Sequence, residues 1–315
     1  MRSVWLLAAI SCLAACGDDP PKTALPTPTP VDAGSADAGS ATLRVASFNT
    51  RRFFDDECNS SNCGGAAFEV QRTAAEFAAD AKRLAGGVTA LAADVVSLQE
   101  VENQKAFDAL RAELSAGGVD YPIAVLGETG APASVDVALL ARGTLIETRT
   151  HRAQQITRPD GSKTSFTREL LEVRFKASKG DRTVVLFAAH FRSKFDDDPG
   201  RRLAEANATR DLVVAAQKEA PDALVVLAGD LNDTPGSDTL AAIEQGGLVR
   251  VAKDLPAASQ TTFVFNGSPL TIDHIYATRE SAPRFVTGTA AVVKDGTVGL
   301  AGSDHAAVRA DFTVQ

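Results

Sequence analysis

The sequence predicts a mixed α/β fold built on deeply buried strands. Three observations carry this. Short apolar, β-prone runs alternate with longer stretches of helical period from Leu43 onward. Several runs in the C-terminal half follow one another at hairpin distance, which argues for mixed sheets rather than one parallel doubly wound sheet. Residues 43–315 show no internal repeat, so they read as one large domain, and a hydrophobic content of 44% is ample for its core.

The elements follow in order. Leu43–Phe48 is a strand ending at Asn49. Glu69 to about Leu91 is an amphipathic helix with Phe77, Leu84, Val88 and Leu91 on one face, and Gly86-Gly87 is a place where it can break. Asp94–Gln99 is a buried strand ending at Glu100, and Ala106–Leu114 is a short helix closed by Gly117-Gly118. Val135–Ala141, Leu145–Thr150 and Leu170–Phe175 read as strands, as does Thr183–Ala189, which ends at His190. Arg201–Lys218 is a helix, and Ala223–Ala228 is a strand running into Gly229-Asp230. Thr271–Ala277, Phe285–Val293 and Ala307–Thr313 complete the set.

The first 42 residues have another character. Residues 1–15 have export-signal proportions: Arg2, then an apolar stretch too short to span a membrane. It ends in Leu13-Ala14-Ala15-Cys16, which resembles the lipobox of bacterial lipoproteins, with Cys16 as the lipidated first residue. Cys12 fits that pattern less well, and an ordinary secretory signal is the plainer alternative. Residues 16–42 are rich in Pro, Ala, Gly, Ser and Thr without apolar period, and so form a tether rather than a core. The expected location is the cell envelope, anchored to a bacterial membrane with the outer membrane or cell surface favoured, or else the secreted fraction. Cys58 and Cys63 flank a four-residue loop, and in an exported chain such a pair reads as a disulfide. Metal ligation is the poorer reading, since no histidine stands nearby to complete a zinc site.

The formal net charge of −8 argues against tight nonspecific nucleic-acid binding, which draws its energy from phosphate neutralisation. An enzyme needs only local cations. Arg51, Arg52, Arg192, Lys194, Arg201, Arg202 and Arg210 lie near the polar motifs in sequence.

Six such motifs follow strand-like runs in fixed order: Ser47-Phe48-Asn49, Gln99-Glu100, His190-Phe191-Arg192-Ser193-Lys194, Gly229-Asp230-Leu231-Asn232-Asp233, Ile272-Asp273-His274 and Ser303-Asp304-His305. Their candidate site residues are two carboxamides (Asn49, Asn232), four carboxylates (Glu100, Asp230, Asp273, Asp304) and two or three imidazoles at strand ends, an inventory suited to metal-assisted hydrolysis of a phosphate ester. The donors are oxygens, without thiols, which favours Mg²⁺, Mn²⁺ or Ca²⁺ over zinc.

From about Leu43 to the C-terminus the motif set resembles the endonuclease/exonuclease/phosphatase superfamily. The resemblance implies a four-layer, DNase I-like sandwich, with two mixed β-sheets packed face to face and helices outside. It implies Glu100 as principal metal ligand, with Asn49 beside the metal and Asp304 as a second acidic metal-side residue. It implies Asp230 as general base, Asn232 as its positioning partner, and a pair between Asp273 and His305 in which the charged imidazole stabilises the transition state. His190 would contact the phosphate or protonate the leaving oxygen. Alternating spacing would put Asp230 and Asn232 on one face of an extended segment. His151 reads as a surface residue and His274 as structural.

The stretch from His190 to Arg210 and Thr262–Gly267 resemble bacterial extracellular nucleases. Arg192, Lys194, Arg202 and Arg210 would then form a basic track for nucleic acid, and the enzyme would act as a monomer. A phospholipid phosphodiesterase of sphingomyelinase type is the alternative, weakened because Tyr121 and Tyr276 are the only Tyr residues and no Trp lies beyond the leader. A binding module without catalysis is the third reading.

Overall fold

The computed structural model of the protein describes residues 41–315. The expected leader, Cys16 and the expected tether up to residue 40 therefore lie outside the described residues, while Ala41 and Thr42 are described and Thr42 already belongs to the first strand. Among the described residues no helix is long and apolar enough to cross a membrane.

In chain order the elements are β1 (Thr42–Phe53), α1 (Ala74–Leu91), β2 (Val95–Val101), α2 (Gln104–Ala116), β3 (Ile123–Gly127), β4 (Asp136–Ala141) and β5 (Gly143–Thr150). The short β6 (Ile156–Thr157) and β7 (Lys163–Thr164) pair with each other, and β8 (Leu171–Ala177), β9 (Thr183–His190), α3 (Pro199–Glu219) and β10 (Leu224–Asp230) follow. The remainder is α4 (Asp238–Gln245), β11 (Val249–Arg250), the hairpin of β12 (Phe263–Phe265) and β13 (Ser268–Leu270), then β14 (Asp273–Ala277), β15 (Ala291–Val293) and β16 (Ala307–Thr313).

Two six-stranded mixed sheets result, in the orders β15-β16-β1-β2-β4-β3 and β11-β14-β10-β9-β8-β5. Within them β1–β2 and β9–β10 are parallel, and the other pairs are antiparallel. The alternation of each strand divides its side chains between two cores. Val45, Val137, Val184, Leu186, Val226 and Ile275 meet between the sheets. Phe48, Val96 and Leu98 face the other way, toward Phe77, Leu84 and Val88 of α1 and Phe107 and Leu110 of α2. Val185, Phe187, Val225 and Leu227 pack on Val213 of α3 and Leu240 and Ile243 of α4. This is the four-layer sandwich that the resemblance implies.

Several elements differ from expectation. Helix α1 starts at Ala74 rather than Glu69, because Thr73 and Glu76 form a capping box there. Glu69 instead folds back and accepts the backbone N–H groups of Asn59 and Ser60. Gly86-Gly87 does not break the helix, since Gly87 lies under the loop before β16: a Cβ on it would sit 2.6 Å from Ala301 Cβ. The run from Phe285 to Val293 forms a strand only at its end, with one bridge from Phe285 to Phe312. Strand β3 and helix α4 are additions to the sequence reading. His151 is not a surface residue: it is half-buried, with Nε2 2.9 Å from Glu172 Oε2. The disulfide is present, joining Cys58 and Cys63 with their Cα atoms 5.9 Å apart.

Candidate active site

The polar motifs converge because the inner faces of the two sheets end together. Along β9, β10 and β14 the inward positions finish on His190, Asp230 and Asp273, and Asp230 is in direct register with both of the others. Gly229 lets these strands close up, because a Cβ there would collide with the Ala189 carbonyl. On the opposite sheet the inward positions of β1 end on Asn49, in register with Gln99. Asn49 spans the gap: its amide nitrogen donates to Asp230 Oδ2 at 3.1 Å and to Glu100 Oε1 at 3.2 Å, while its oxygen accepts the Arg51 N–H.

Beyond Asn49 both strands bulge. Glu100 has φ +65° and is extra in the pairing of β2 with β4, and Arg51 and Arg52 opposite it have φ +57° and +46°. Left-handed backbone at non-glycine residues costs on the order of 1–3 kcal/mol each, and its concentration here marks a site held by its surroundings. Those surroundings are identifiable. Thr50 Oγ1 donates to the carbonyls of Gln99 and Glu100, and Glu100 Oε2 accepts the Arg52 N–H at 2.7 Å. The bulge turns the Glu100 carboxylate into a cleft of about 500 Å³ that also receives His190, Asp230, Asn232, Asp304 and His305.

His305 enters from the loop before β16. Ser303 fixes that loop, its Oγ donating to the Asn49 carbonyl and accepting the His305 N–H. His305 Nδ1 lies 3.0 Å from Asp273 Oδ2 and 4.0 Å from Asp230 Oδ2, and Phe263 stacks on the ring at 4.7 Å. Burial opposes charge on this imidazole, but Asp273, reinforced by Asp230 and Glu100, wins and raises its pKa. Burial, then the neighbouring Asp273 charge, pushes the Asp230 carboxyl up. His190 is the opposite case: burial, then Arg168 and His305, hold it neutral, with Nε2 3.7 Å from Asp230 and 3.9 Å from Glu100.

Asn232 reaches the cleft by another route than alternation. The strand stops at Asp230, and Asn232 is left-handed (φ +52°), its N–H donating to Asp230 Oδ1 and its side-chain amide to the Phe191 carbonyl. His274, on the outward face of β14, hydrogen-bonds the Asp233 carbonyl and is structural as expected.

The basic track needs correction. Lys194 lines the cleft, paired with Asp233 at 2.7 Å. Arg202 is buried between Asp233 and Asp197, so its charge is already spent inside the fold. Arg210 bonds Asn207 and the Ala242 carbonyl and lies against Gly246 of the α4 end, away from the cleft. Arg192 is tied to Asp196 and is not among the cleft residues. The cations at the cleft are instead Arg51, Arg52, Arg168 and Lys194. Arg168 had no signal in sequence: it precedes β8 in an irregular stretch and donates to the Phe191 carbonyl. The aromatic rim was also missed, because single phenylalanines carry no pattern. Phe195, Phe265 and Phe68 line the cleft and are 86%, 59% and 50% exposed.

Two mixed sheets with a carboxylate–carboxamide–imidazole cleft at their common edge define the DNase I-like class. Residues 46–305 match the model of the Endonuclease/Exonuclease/phosphatase family, and the chain belongs to that family, whose members are generally phosphodiesterase or phosphatase hydrolases that use divalent metal ions. The catalytic domain of human Nocturnin, with a bound sulfate anion, is 17% identical over 87% of this chain and 94% of its own, with a TM-score of 0.59. The endonuclease/exonuclease/phosphatase from Bacteroides vulgatus is 19% identical over 87% and 99%, TM-score 0.59. TDP2 from D. rerio, complexed with a single-strand DNA product, is 18% identical over 86% and 99%, TM-score 0.54. At such identities the likeness is one of fold. No curated protein sequence matches the chain significantly.

Proposed function

We propose that this protein is a metal-dependent phosphodiesterase that hydrolyses nucleic acid, exported and held at the envelope by lipid on Cys16. The observation that carries the chemistry is the convergence on one cleft of Asp230, the Asp273–His305 pair and Glu100, with Asn49 bridging Asp230 to Glu100.

Each residue then has a task. Asp230 takes the proton of the attacking water, for which a raised carboxyl pKa is suited. Its Oδ1 is oriented by the Asn232 N–H and its Oδ2 by Asn49. The oxygen–phosphorus bond to water forms as the bond to the leaving ester oxygen breaks, and that oxygen takes a proton from solvent. Charged His305, held in one orientation by Asp273, stabilises the growing negative charge, and His190 offers a neutral N–H to a phosphate oxygen.

The donor set fits a hard divalent cation. Glu100 and Asp304 bring carboxylate oxygens to the cleft, and the cysteines Cys58 and Cys63 are consumed in a disulfide. Glu100 and Asp304 would hold Mg²⁺, Mn²⁺ or Ca²⁺. Asn49 would act as the brace between carboxylates, since its oxygen is turned to the Arg51 N–H. Such an ion supplies Lewis-acid neutralisation of phosphate charge.

Nucleic acid is favoured by the combination of Arg51, Arg52, Arg168 and Lys194 with exposed phenylalanines, because single strands are gripped by backbone cations and base stacking. The DNA-bound TDP2 structure of like fold supports the same choice. The apolar rim of Phe68, Phe195 and Phe265 also favours a second reading, a lipid phosphodiesterase dipping that rim into a bilayer. Turnover of plasmid and single-stranded DNA, with Mg²⁺ and with EDTA, beside sphingomyelin vesicles, decides between them. Rapid vesicle hydrolysis with no DNA cleavage would overturn the nuclease reading.

A further inference from the structure

A second cavity, of about 250 Å³, lies on the other side of the Arg51-Arg52 bulge. Arginines 51, 52, 72 and 83 all line it, together with Thr50 and Gly302. Arg51 and Arg52 line the catalytic cleft as well, so one backbone bulge is the wall between the two spaces.

The charge here is one-sided in a chain of net charge −8. Asp80 is shared by Arg83 (2.6 Å) and Arg72 (3.4 Å), and Arg51 pairs with the half-exposed Asp304 on the catalytic side. Arg52 has no carboxylate within ion-pair distance among the described residues, and its guanidinium lies over the Phe68 ring, donating to the Phe68 carbonyl. Arg72 Nε is shielded from solvent and makes no hydrogen bond in spite of its ion pair. Four arginines thus line a space with about two carboxylates at its margins: Arg72 and Arg83 share Asp80, Arg51 and Arg52 border the catalytic cleft as well, and the Arg72 Nε donor remains unused. Guanidinium forks match phosphate oxygens, and this cavity has room for a phosphate with its waters.

We propose that this cavity is an anion subsite that holds a second backbone phosphate of a polynucleotide while the neighbouring phosphate is cut. The inference rests on the nuclease reading and sharpens it: the preferred substrate carries at least one phosphate beyond the scissile one, on one strand. A phosphodiester lipid has a single phosphate, and that one occupies the reacting centre, so the subsite gains nothing from it.

The test is a substrate ladder on the full chain: a dinucleoside monophosphate, the same compound with one further phosphate at its 5′ or 3′ end, an octanucleotide, and bis(p-nitrophenyl) phosphate. One of the two phosphorylated dinucleotides should exceed the unphosphorylated one at least about tenfold in kcat/KM, the scale of a single charge-assisted contact. In Arg72→Ala/Arg83→Ala the ratio of octanucleotide to nitrophenyl kcat/KM should fall by at least about tenfold. The log–log salt slope of the octanucleotide KM should flatten by about 0.7, the counterion release of one single-strand phosphate. Equal rates for all three dinucleotides, when the octanucleotide is cut, overturn the subsite and leave the nuclease reading standing. Hydrolysis of the nitrophenyl diester alone, with no oligonucleotide cut, sinks the nuclease reading itself. A double variant that slows only cleavage of vesicles doped with anionic lipid shows that the anion is a lipid headgroup, and also overturns the proposal. The ladder uses the unaltered protein, so it decides the matter even where the double variant folds poorly.

Discussion

Asp230 illustrates how one carboxylate acquires its chemistry from neighbours. Burial and Asp273 raise its pKa, while Asn49 and the Asn232 N–H fix its oxygens. Asp230→Asn keeps the side chain's size but retains only one of these two acceptors and cannot take the proton, and turnover should fall at least about 10²-fold in steady-state assays of phosphodiester hydrolysis. His305 needs a two-part measurement. Removing one partner of a buried pair costs about 3–5 kcal/mol because the other charge is stranded, here Asp273. His305→Ala should therefore lose both stability in urea and at least about 10²-fold in rate per folded molecule. A folded, fully active His305→Ala enzyme would remove the proposed electrostatic role. Glu100→Gln preserves the acceptor for the Arg52 N–H and should raise the Mg²⁺ concentration for half-maximal activity, checked by metal titration.

Individual elements carry the site by their packing as much as by their motifs. Helix α1 supports the loop that presents Asp304 and His305, and its two adjacent glycines give opposite predictions. A Cβ on Gly86 meets nothing within 4 Å, so Gly86→Ala should stabilise by up to about 1 kcal/mol through helix propensity. A Cβ on Gly87 meets Ala301 Cβ at 2.6 Å, and overpacking of about 1–3 kcal/mol exceeds that gain. Gly87→Ala should therefore destabilise in denaturant titrations, and it should also slow hydrolysis by shifting the loop of His305. A stabilised Gly87→Ala protein would show that the loop yields freely. Strand β14 carries a second device: its outward His274 is buried and neutral, with its pKa lowered to about 4 by burial. The unfolded chain binds a proton near pH 6.5 that the folded chain refuses until about 4. Unfolding is thus favoured as the pH falls through that window, by about 1.4 kcal/mol per unit for one proton. His274→Gln, able to donate to Asp233, should flatten this slope in urea titrations at pH 4.5 and 6.5, and an unchanged slope would exonerate His274.

At the scale of the whole molecule, the proposed nuclease reading requires an acidic domain to attract an acidic polymer. That reading draws on local charge: arginines 51, 52 and 168 and Lys194 collect at the cleft, while Arg202 and Arg210 are absorbed by the fold. The leader and tether add a separate expectation: the mature chain begins at a lipid-bearing Cys16. Intact-mass measurement of protein from its own envelope checks it, and an unmodified Cys16 or another first residue would end the lipoprotein reading. The same sample bears on the disulfide. Cys58→Ser/Cys63→Ser should lose about 2 kcal/mol of stability, the chain-entropy scale for so short a ring.

The sequence by itself determined what depends on neighbours along the chain. Apolar runs and their periods laid out most strands and helices, and the motifs following them marked Asn49, Glu100, His190, Asp230, Asp273 and His305, all of which the fold brings to one place. The short spacing of Cys58 and Cys63 was legible for the same reason. Only the tertiary structure decided what depends on partners distant in sequence. Whether an arginine faces solvent or a buried carboxylate cannot be read from its own segment, so Arg202 and Arg210 were misplaced while Arg168 went unnoticed. The capping box decided where α1 begins, and the packing of Ala301 explains why Gly87 stays within it. The left-handed bulges at Arg51, Arg52 and Glu100 exist because Thr50, Asn49 and the facing strand hold them. Local propensity assigns them no turn, and yet they aim the carboxylate and divide the catalytic cleft from the arginine-lined cavity beside it.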